Sequence, residues 1–118
     1  MTQHEKIHYL EYPANDLAAT KQFFEAAFGW EFTDYGQEYT AFDFQGLEGG
    51  FYAADLRSRS DLGSALTIFY SDDLPATLLK VKAAGAIIEK EIFEFPGGRR
   101  FHFSEPSGNE FAVWTKTF

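Results

Sequence analysis

An internal repeat constrains the fold of this chain more than any other feature of its sequence. Residues 15–20 (NDLAAT) match residues 72–77 (DDLPAT). Three later pairs of segments match in the same order: 26–29 (AAFG) with 83–85 (AAG), 42–44 (FDF) with 101–103 (FHF), and 48–52 (EGGFY) with 110–114 (EFAVW). Because the matches keep their order along the chain, the sequence predicts two copies of one structural unit.

Hydrophobic periodicity predicts the same elements in each copy: a strand, a helix and three strands. The predicted strands are 7–12, 30–34, 38–44, 49–54, 65–70 and 87–95, followed by a hairpin within 95–114, and the helices are 17–28 and 74–84. Asn15 or Asp16 is expected to cap the first helix and Gly29 to end it. Residues 55–63 are predicted to be an exposed connector.

The predicted fold class is α+β, built from two βαβββ modules. Module 1 spans about residues 5–55 and module 2 about residues 64–117, and the length of 118 residues predicts one domain, 1–118. The aromatic share of 19% favours sheets and a cavity with large side chains over a helical bundle.

Composition excludes several classes of partner and site. The formal net charge of −8 argues against nucleic acid, since phosphate binding needs clustered Lys and Arg. The absence of Cys excludes disulfides and sulfur-ligated metals. No apolar run approaches a membrane span and the N-terminus does not resemble a secretory signal, so we expect a cytoplasmic protein without a membrane partner.

The predicted hairpin gives one sheet face an unusual composition. Alternation along its first strand places Arg100 and His102 on one face, and the phenylalanines between and after them on the other. If the strands pair directly across the turn at residues 105–108, Glu110 and Trp114 join that face. A cationic, acidic and aromatic mixture of this kind indicates a functional surface.

Short motifs in this framework resemble a known family. The first helix begins with Asp16 and Leu17 and ends in AFGW at residues 27–30, and EPSGN at 105–109 precedes the last strand. Within paired βαβββ units, this combination resembles the vicinal oxygen chelate superfamily of glyoxalase I, extradiol dioxygenases and bleomycin resistance proteins, over almost the whole chain. The segment FPGGRRFHF at 95–103 is similar to small bacterial glyoxalase-like proteins. The resemblance implies a U-shaped, partly open β-barrel with helices outside, a ligand cavity inside, and a homodimer.

The resemblance also implies where metal ligands would stand. Metal-dependent relatives place His or Glu on the first and last strand of each unit. Counting back from the capping aspartates places the first-strand positions at Tyr9 and Leu66. The turn glycine and the internal repeat place the last-strand positions at Gly50 and Ala112. Three of these side chains offer no lone pair, and a neutral Tyr is a poor ligand alone. We therefore expect no metal and no other cofactor.

Two alternative sets of ligands would still allow a metal site. His8 is one residue from the first position, but a slip of one residue would turn every side chain of its strand to the other face. We predict instead that His8 is a partly buried strand residue. A site improvised from Glu11, Glu48, Glu110 and His102 stays open, although no spacing rule supports it.

Without a metal, the expected cavity is lined by aromatic and polar side chains, as small-molecule pockets often are. The residues predicted to contact the ligand are Tyr9, Glu11, Glu48, Tyr52, Tyr70, Glu110 and Trp114. Arg100 is predicted to hold a carboxylate or phosphate and His102 to act as a base or acid, which makes these two the predicted catalytic residues. Alternatively, Arg100 pairs with Glu110 across the hairpin and His102 caps that pair.

These residues are compatible with three functions. The first is metal-independent binding of an anionic or aromatic small molecule. The second is a lyase or isomerase in which His102 is the base and Arg100 anchors the substrate. The third is a structural or interaction role as a dimer. A metal-dependent lyase or dioxygenase of the glyoxalase type, with non-standard ligands, remains a further alternative.

Overall fold

The computed structural model describes residues 2–43 and 46–116, and both copies contain the predicted order of elements. Module 1 contains β1 (Tyr9–Ala14), α1 (Leu17–Phe28), β2 (Phe32–Asp34), β3 (Tyr39–Phe42) and β4 (Glu48–Ala53). Module 2 contains β5 (Thr67–Tyr70), α2 (Leu74–Ala83), β6 (Ile87–Phe95), β7 (Gly98–Ser104) and β8 (Glu110–Lys116). The predicted strand end at Phe44 and module end at Thr117 lie outside the described residues.

Each module forms its own four-stranded mixed sheet. The strand orders are β1-β4-β3-β2 and β5-β8-β7-β6, with β1 parallel to β4 and β5 parallel to β8. The sheets do not close into a barrel, so the predicted α+β class and partly open arrangement are confirmed. No helix within residues 2–43 and 46–116 is long and apolar enough to cross a membrane.

The start of α1 follows its sequence signals, whereas β1 does not end where predicted. The Asp16 carboxylate accepts a hydrogen bond from the Ala19 N–H at 3.1 Å, and Gly29 ends the helix in the left-handed region with φ 71°. Strand β1 continues through Pro13 to Ala14 instead of closing at residue 12. Pro13 is tolerated because β1 is an edge strand that pairs only with β4, where a missing N–H need not cost a ladder hydrogen bond.

Aromatic rings form a core that both sheets share. Phe24 on α1 is fully buried, and its ring centroid lies 4.4 Å from that of Trp30, 5.6 Å from Phe51 on β4 and 5.4 Å from Phe111 on β8. A buried ring of this size removes about 150–250 Å² from water. Packing on α1 therefore fixes the faces of the two sheets that are turned away from the predicted cavity residues.

Buried polar contacts also join the modules. The Asn109 side-chain amide donates to the Pro13 carbonyl at 2.7 Å and to Glu105 Oε2 at 2.6 Å. Its oxygen accepts from the Ser58 N–H at 2.8 Å. One fully buried side chain thus connects β1, the β7–β8 turn and the connector.

The connector differs from the prediction. Residues 55–63 include a 3₁₀ turn, Ser60–Leu62, and several of them are bound to module 2. Arg59 donates to Glu89 at 3.0 Å, and the Ser60 N–H donates to Glu110 Oε1 at 2.8 Å. The prediction of an exposed connector is therefore wrong for Ser58 and Arg59, which are half-buried.

Candidate functional site

The β7–β8 hairpin has the register expected from the sequence. Arg100 lies opposite Trp114, His102 opposite Ala112 and Ser104 opposite Glu110. Because alternate residues share a face, Arg100, His102, Glu110 and Trp114 all lie on one side of the second sheet.

His102 and Glu110 form a buried pair on this face. His102 Nδ1 lies 3.0 Å from Glu110 Oε2, and the two side chains are 3% and 5% exposed. A carboxylate can only accept, so the proton of this contact belongs on Nδ1. The opposite ring nitrogen, Nε2, is buried and has no hydrogen-bond partner among the described residues.

The connector stabilises the ionised form of Glu110. Its Oε1 accepts from both the N–H and the hydroxyl of Ser60, each at 2.8 Å. Burial alone would raise the pKa of Glu110, but the hydrogen bonds from His102 and Ser60 outweigh it and lower the pKa to about 2. Glu110 is therefore a fixed negative charge beneath the imidazole at neutral pH.

Arg100 does not pair with Glu110, which makes that alternative wrong. The register puts Glu110 four residue pairs away, and its carboxylate is already bound by His102 and Ser60. The Arg100 guanidinium carbon lies instead 5.6 Å from the ring centroid of Phe93 and 5.4 Å from that of Phe95. Arg100 Nε is buried without a hydrogen-bond partner, and no ion pair to Arg100 is present within residues 2–43 and 46–116.

A cavity of about 290 Å³ opens beside this guanidinium. Its lining residues are Ile68, Phe95, Gly97, Arg100 and Trp114. The Tyr70 ring packs edge-on against Trp114 at 5.1 Å, and Lys116 Nζ lies 5.8 Å from the Tyr70 ring centroid. The site on the second sheet therefore combines two cations with several aromatic rings.

The other predicted residues lie on the first sheet, around Tyr39. The Tyr39 hydroxyl donates to Glu11 Oε2 at 3.0 Å and shares a second hydrogen bond with the Tyr9 hydroxyl. Burial, followed by the hydrogen bonds with Tyr9 and Glu11, raises the pKa of Tyr39. Tyr52 lies opposite Tyr39 in the β3–β4 register and is 36% exposed. This half of the site is acidic and rich in tyrosine.

Glu48 belongs to the first sheet as well, and it meets His8. His8 Nε2 lies 3.1 Å from Glu48 Oε2, with the two side chains 38% and 39% exposed. His8 is half-buried and lies just before β1.

The two groups of predicted residues remain separate within one chain. Within the described parts of the chain, no hydrogen bond, ion pair or ring contact joins Tyr9, Glu11, Glu48 and Tyr52 to the group formed by Tyr70, Arg100, His102, Glu110 and Trp114. The contacts between modules run through the core face and the turn at residues 105–109 instead.

The residues at the four positions predicted for metal ligands do not offer a donor set that fits a metal ion. Tyr9, Gly50, Leu66 and Ala112 offer one phenol oxygen and no imidazole or carboxylate. The Tyr39 ring lies directly over Gly50, so that even a Cβ at this position would collide with its hydroxyl. No group of three His, Asp or Glu side chains with suitable geometry occurs in residues 2–43 and 46–116.

Sequence reasoning missed several residues of the site, including Ile68 and Lys116. Phe93 and Phe95 flank Arg100, and their positions could have been found by pairing β6 with β7, since Phe93 lies directly opposite Arg100. Tyr39 was in a predicted strand, but its contact with Gly50 depends on the pairing of β3 with β4. Ser60 carried no signal, because a connector residue reaches Glu110 only through the folded path of the chain.

The charge on Glu110 predicts a specific pH dependence of stability. Its pKa in the folded protein is about 2, below the ordinary value of 4.5. Its ionised form therefore contributes stability above about pH 4.5 that is lost as the pH falls toward 2. Below about pH 4.5 we expect the difference in unfolding free energy between the protein and Glu110→Gln to shrink, by at most about 1.4 kcal/mol per pH unit.

Chemical denaturation across this pH range measures that difference. Glu31→Gln, at an exposed carboxylate, is the matched control. Equal pH dependence for the two variants would contradict the assigned role of Glu110.

Comparisons with known proteins agree with this fold. A family model described as "Glyoxalase/Bleomycin resistance protein/Dioxygenase superfamily" matches residues 6–113. A search of curated proteins found no match.

Three solved structures with the same fold illustrate the range of proteins that this chain resembles. A glyoxalase-related enzyme from Fulvimarina pelagi is 18% identical, with a TM-score of 0.73 over 95% of this chain and 88% of that one. A lactoylglutathione lyase from Agrobacterium tumefaciens is 20% identical, with a TM-score of 0.71 over 96% and 95%. TnmS3, an antibiotic binding protein from Streptomyces sp. CB03234, is 17% identical, with a TM-score of 0.70 over 99% and 100%.

At these identities the structures establish the fold alone. The family model covers most of the sequence, and the matched residues 6–113 include elements of both βαβββ units. The chain belongs to the Glyoxalase/Bleomycin resistance protein/Dioxygenase superfamily.

Proposed function

We propose that this protein binds a small anionic aromatic molecule in the cavity beside Arg100. The observation that carries the proposal is the Arg100 guanidinium, which has aromatic rings around it and no carboxylate partner in the described residues. A buried N–H without a partner costs about 1–3 kcal/mol. A ligand that supplies an acceptor offsets this cost, which favours its binding here.

The surroundings of Arg100 support an aromatic ligand with an acidic group. Phe95 and Trp114 line the cavity, and Lys116 adds a second positive charge on the same sheet face. A guanidinium can hold two oxygens of a carboxylate or phosphate at once. The cavity of about 290 Å³ is suited to a ligand of one or two rings.

The proposed binding needs no metal and no other cofactor. The side chains at Tyr9, Gly50, Leu66 and Ala112 support the loss of the family's usual ligands, and Tyr39 fills the space over Gly50. TnmS3 is described as an antibiotic binding protein, which provides a fold-level precedent for binding without a described reaction.

Substitution of Arg100 tests the binding proposal. We expect Arg100→Ala to weaken binding of naphthoate about ten- to hundredfold, because it removes a charge-assisted hydrogen bond worth about 1.5–3 kcal/mol. Arg99→Ala is the matched control, since Arg99 is its neighbour in β7 and lies on the opposite face. Isothermal calorimetry with naphthoate and its uncharged amide measures both effects. Equal affinity for the acid and the amide would contradict an Arg100 anchor.

A lyase or isomerase activity is the second candidate function. It is favoured by the contact between His102 Nδ1 and Glu110, which leaves Nε2 to accept a proton. Arg100 would hold the acidic group of the substrate while His102 removes a proton from an adjacent carbon. Because His102 is only 2% exposed, neighbouring side chains must move before a substrate reaches it.

Proton exchange in a simple aromatic keto acid tests this activity. Phenylpyruvate combines a ring, a carboxylate and an acidic C–H group. If His102 is a base, the protein should accelerate exchange of that hydrogen in D₂O, as followed by NMR. His102→Gln should lose at least about a hundredfold of the acceleration, the size of a general-base contribution. His4→Gln, at an exposed histidine, should retain it. The absence of acceleration by the unmodified protein would leave binding as the proposed function.

We further propose that the protein is a homodimer. Both sheets expose large side chains: Tyr9 is 39% exposed and Tyr52 36% on the first sheet, and Tyr70 is 44% exposed on the second. The first half carries carboxylates and the second carries Arg100 and Lys116. These opposite charges favour contact between the first sheet of one copy and the second sheet of another.

Sedimentation equilibrium tests the dimer. We expect a mass near twice 13.4 kDa, and a mass near 13.4 kDa for Tyr52→Glu, which buries a charge in the proposed interface and lies outside both cavities. Leu79→Glu is the control, since Leu79 is 66% exposed on α2. A monomeric unmodified protein would contradict the proposal. A dimer that does not bind naphthoate would favour the structural or interaction role.

A further inference from the structure

A second cavity, of about 490 Å³, lies where the two modules meet. Its walls include Tyr12, Trp30 and Phe42 from module 1 and Thr67, Phe69 and Phe111 from module 2. None of its described lining residues is charged. Its chemistry therefore differs from that of the cavity beside Arg100, although Ile68 borders both.

The aromatic walls of this intermodule cavity are held in place by other rings. The Trp30 ring is stacked on Phe24 of the core at 4.4 Å and on its neighbour in the wall, Phe42, at 4.5 Å. The Phe69 ring is stacked on Phe28 at 4.8 Å. Because these rings are packed against other rings, the cavity is preorganised, and a ligand does not have to order it on binding.

Within this cavity the described residues leave one hydroxyl proton without an acceptor. The Tyr12 hydroxyl and Thr67 Oγ1 lie 2.7 Å apart, and either can be the donor. Neither makes another hydrogen bond among the described residues. Two hydroxyls that share one hydrogen bond retain one O–H without an acceptor. Burial raises the pKa of Tyr12, so its proton stays in place at neutral pH.

We propose that the intermodule cavity binds an uncharged aromatic molecule that carries one hydrogen-bond acceptor, such as a carbonyl or ether oxygen. The rings supply apolar contact, and the Tyr12–Thr67 pair donates to the acceptor. A charged ligand is disfavoured, because burial of a charge without a partner is costly. This site is independent of the anionic ligand proposed for Arg100.

The chain offers a direct reporter for this site. It contains two tryptophans, Trp30 in the intermodule cavity and Trp114 beside Arg100. In a Trp114→Phe background, the remaining emission comes from Trp30. We expect acetylnaphthalene to quench this emission at saturable concentrations. Ethylnaphthalene has the same ring and nearly the same shape but no acceptor, so it should bind about two- to tenfold more weakly, as expected for loss of one neutral hydrogen bond.

The double variant Tyr12→Phe/Thr67→Val removes both hydroxyls. Replacing both partners of a hydrogen bond by groups of similar shape costs little stability, so the variant should fold, which circular dichroism checks. It should bind the two probes with equal affinity. Naphthoate, the probe of the Arg100 cavity, should not compete with either of them.

Three outcomes would overturn the proposal. The first is that acetylnaphthalene does not quench the Trp30 emission saturably. The second is that the double variant still binds acetylnaphthalene more tightly than ethylnaphthalene. The third is that naphthoate competes with the probes and that Arg100→Ala abolishes this competition. The last outcome would assign the probes to the Arg100 cavity. If quenching weakens as the protein concentration rises, the cavity is covered by a second copy, which also overturns it.

Discussion

The hydrogen bonds of Asn109 are the interaction on which the rest of the structure depends. The fully buried amide reaches the Pro13 carbonyl in module 1, the Glu105 carboxylate in its own turn and the Ser58 N–H of the connector. Without Asn109, Oε2 of the buried Glu105 would lose its donor, and an unsatisfied buried polar group costs about 1–3 kcal/mol. By fixing Ser58, Asn109 also fixes Ser60 beside Glu110. The polar contact that joins the modules therefore also sets the electrostatics of the candidate site.

Two glutamates near this contact show how hydrogen-bond donors and burial together set the pKa of a carboxyl group. Glu105 is buried, and burial raises its pKa, although Thr20, the Ser107 N–H and Asn109 donate to it and partly oppose the shift. Glu110 is buried as well, but the imidazole of His102 and two donors from Ser60 lower its pKa. Neutral donors alone do not offset burial at Glu105, whereas the histidine and serine contacts do so at Glu110. Because Glu110 is engaged in this way, it is not available to neutralise Arg100.

The sequence predicted the local patterns well and the contacts between distant segments poorly. The repeat, the Asp16 cap and the face shared by Arg100 and His102 all follow from periodicities of a few residues, which local sequence determines. The ring of Phe93 beside Arg100 and the contact of Tyr39 with Gly50 depend on pairing between strands. The attachment of Ser60 to Glu110 depends on the path of a connector with no periodic pattern. The separation of the site residues onto two sheets depends on how the modules pack, which side-chain alternation cannot specify.

The two copies of the repeat contain the same carboxylate in two different environments. Glu48 and Glu110 occupy equivalent positions, and each lies about 3 Å from a histidine nitrogen, at 3.1 Å from His8 and at 3.0 Å from His102. The first pair is more than one third exposed, so water screens it; the second is almost fully buried, so its interaction is stronger. The imidazole partner also comes from different strands, since His8 precedes β1 and His102 lies on β7. Duplication thus preserved the position of the acid, while burial of one copy strengthened its contact with the histidine. This asymmetry is the physical reason to place the anionic ligand on the second module.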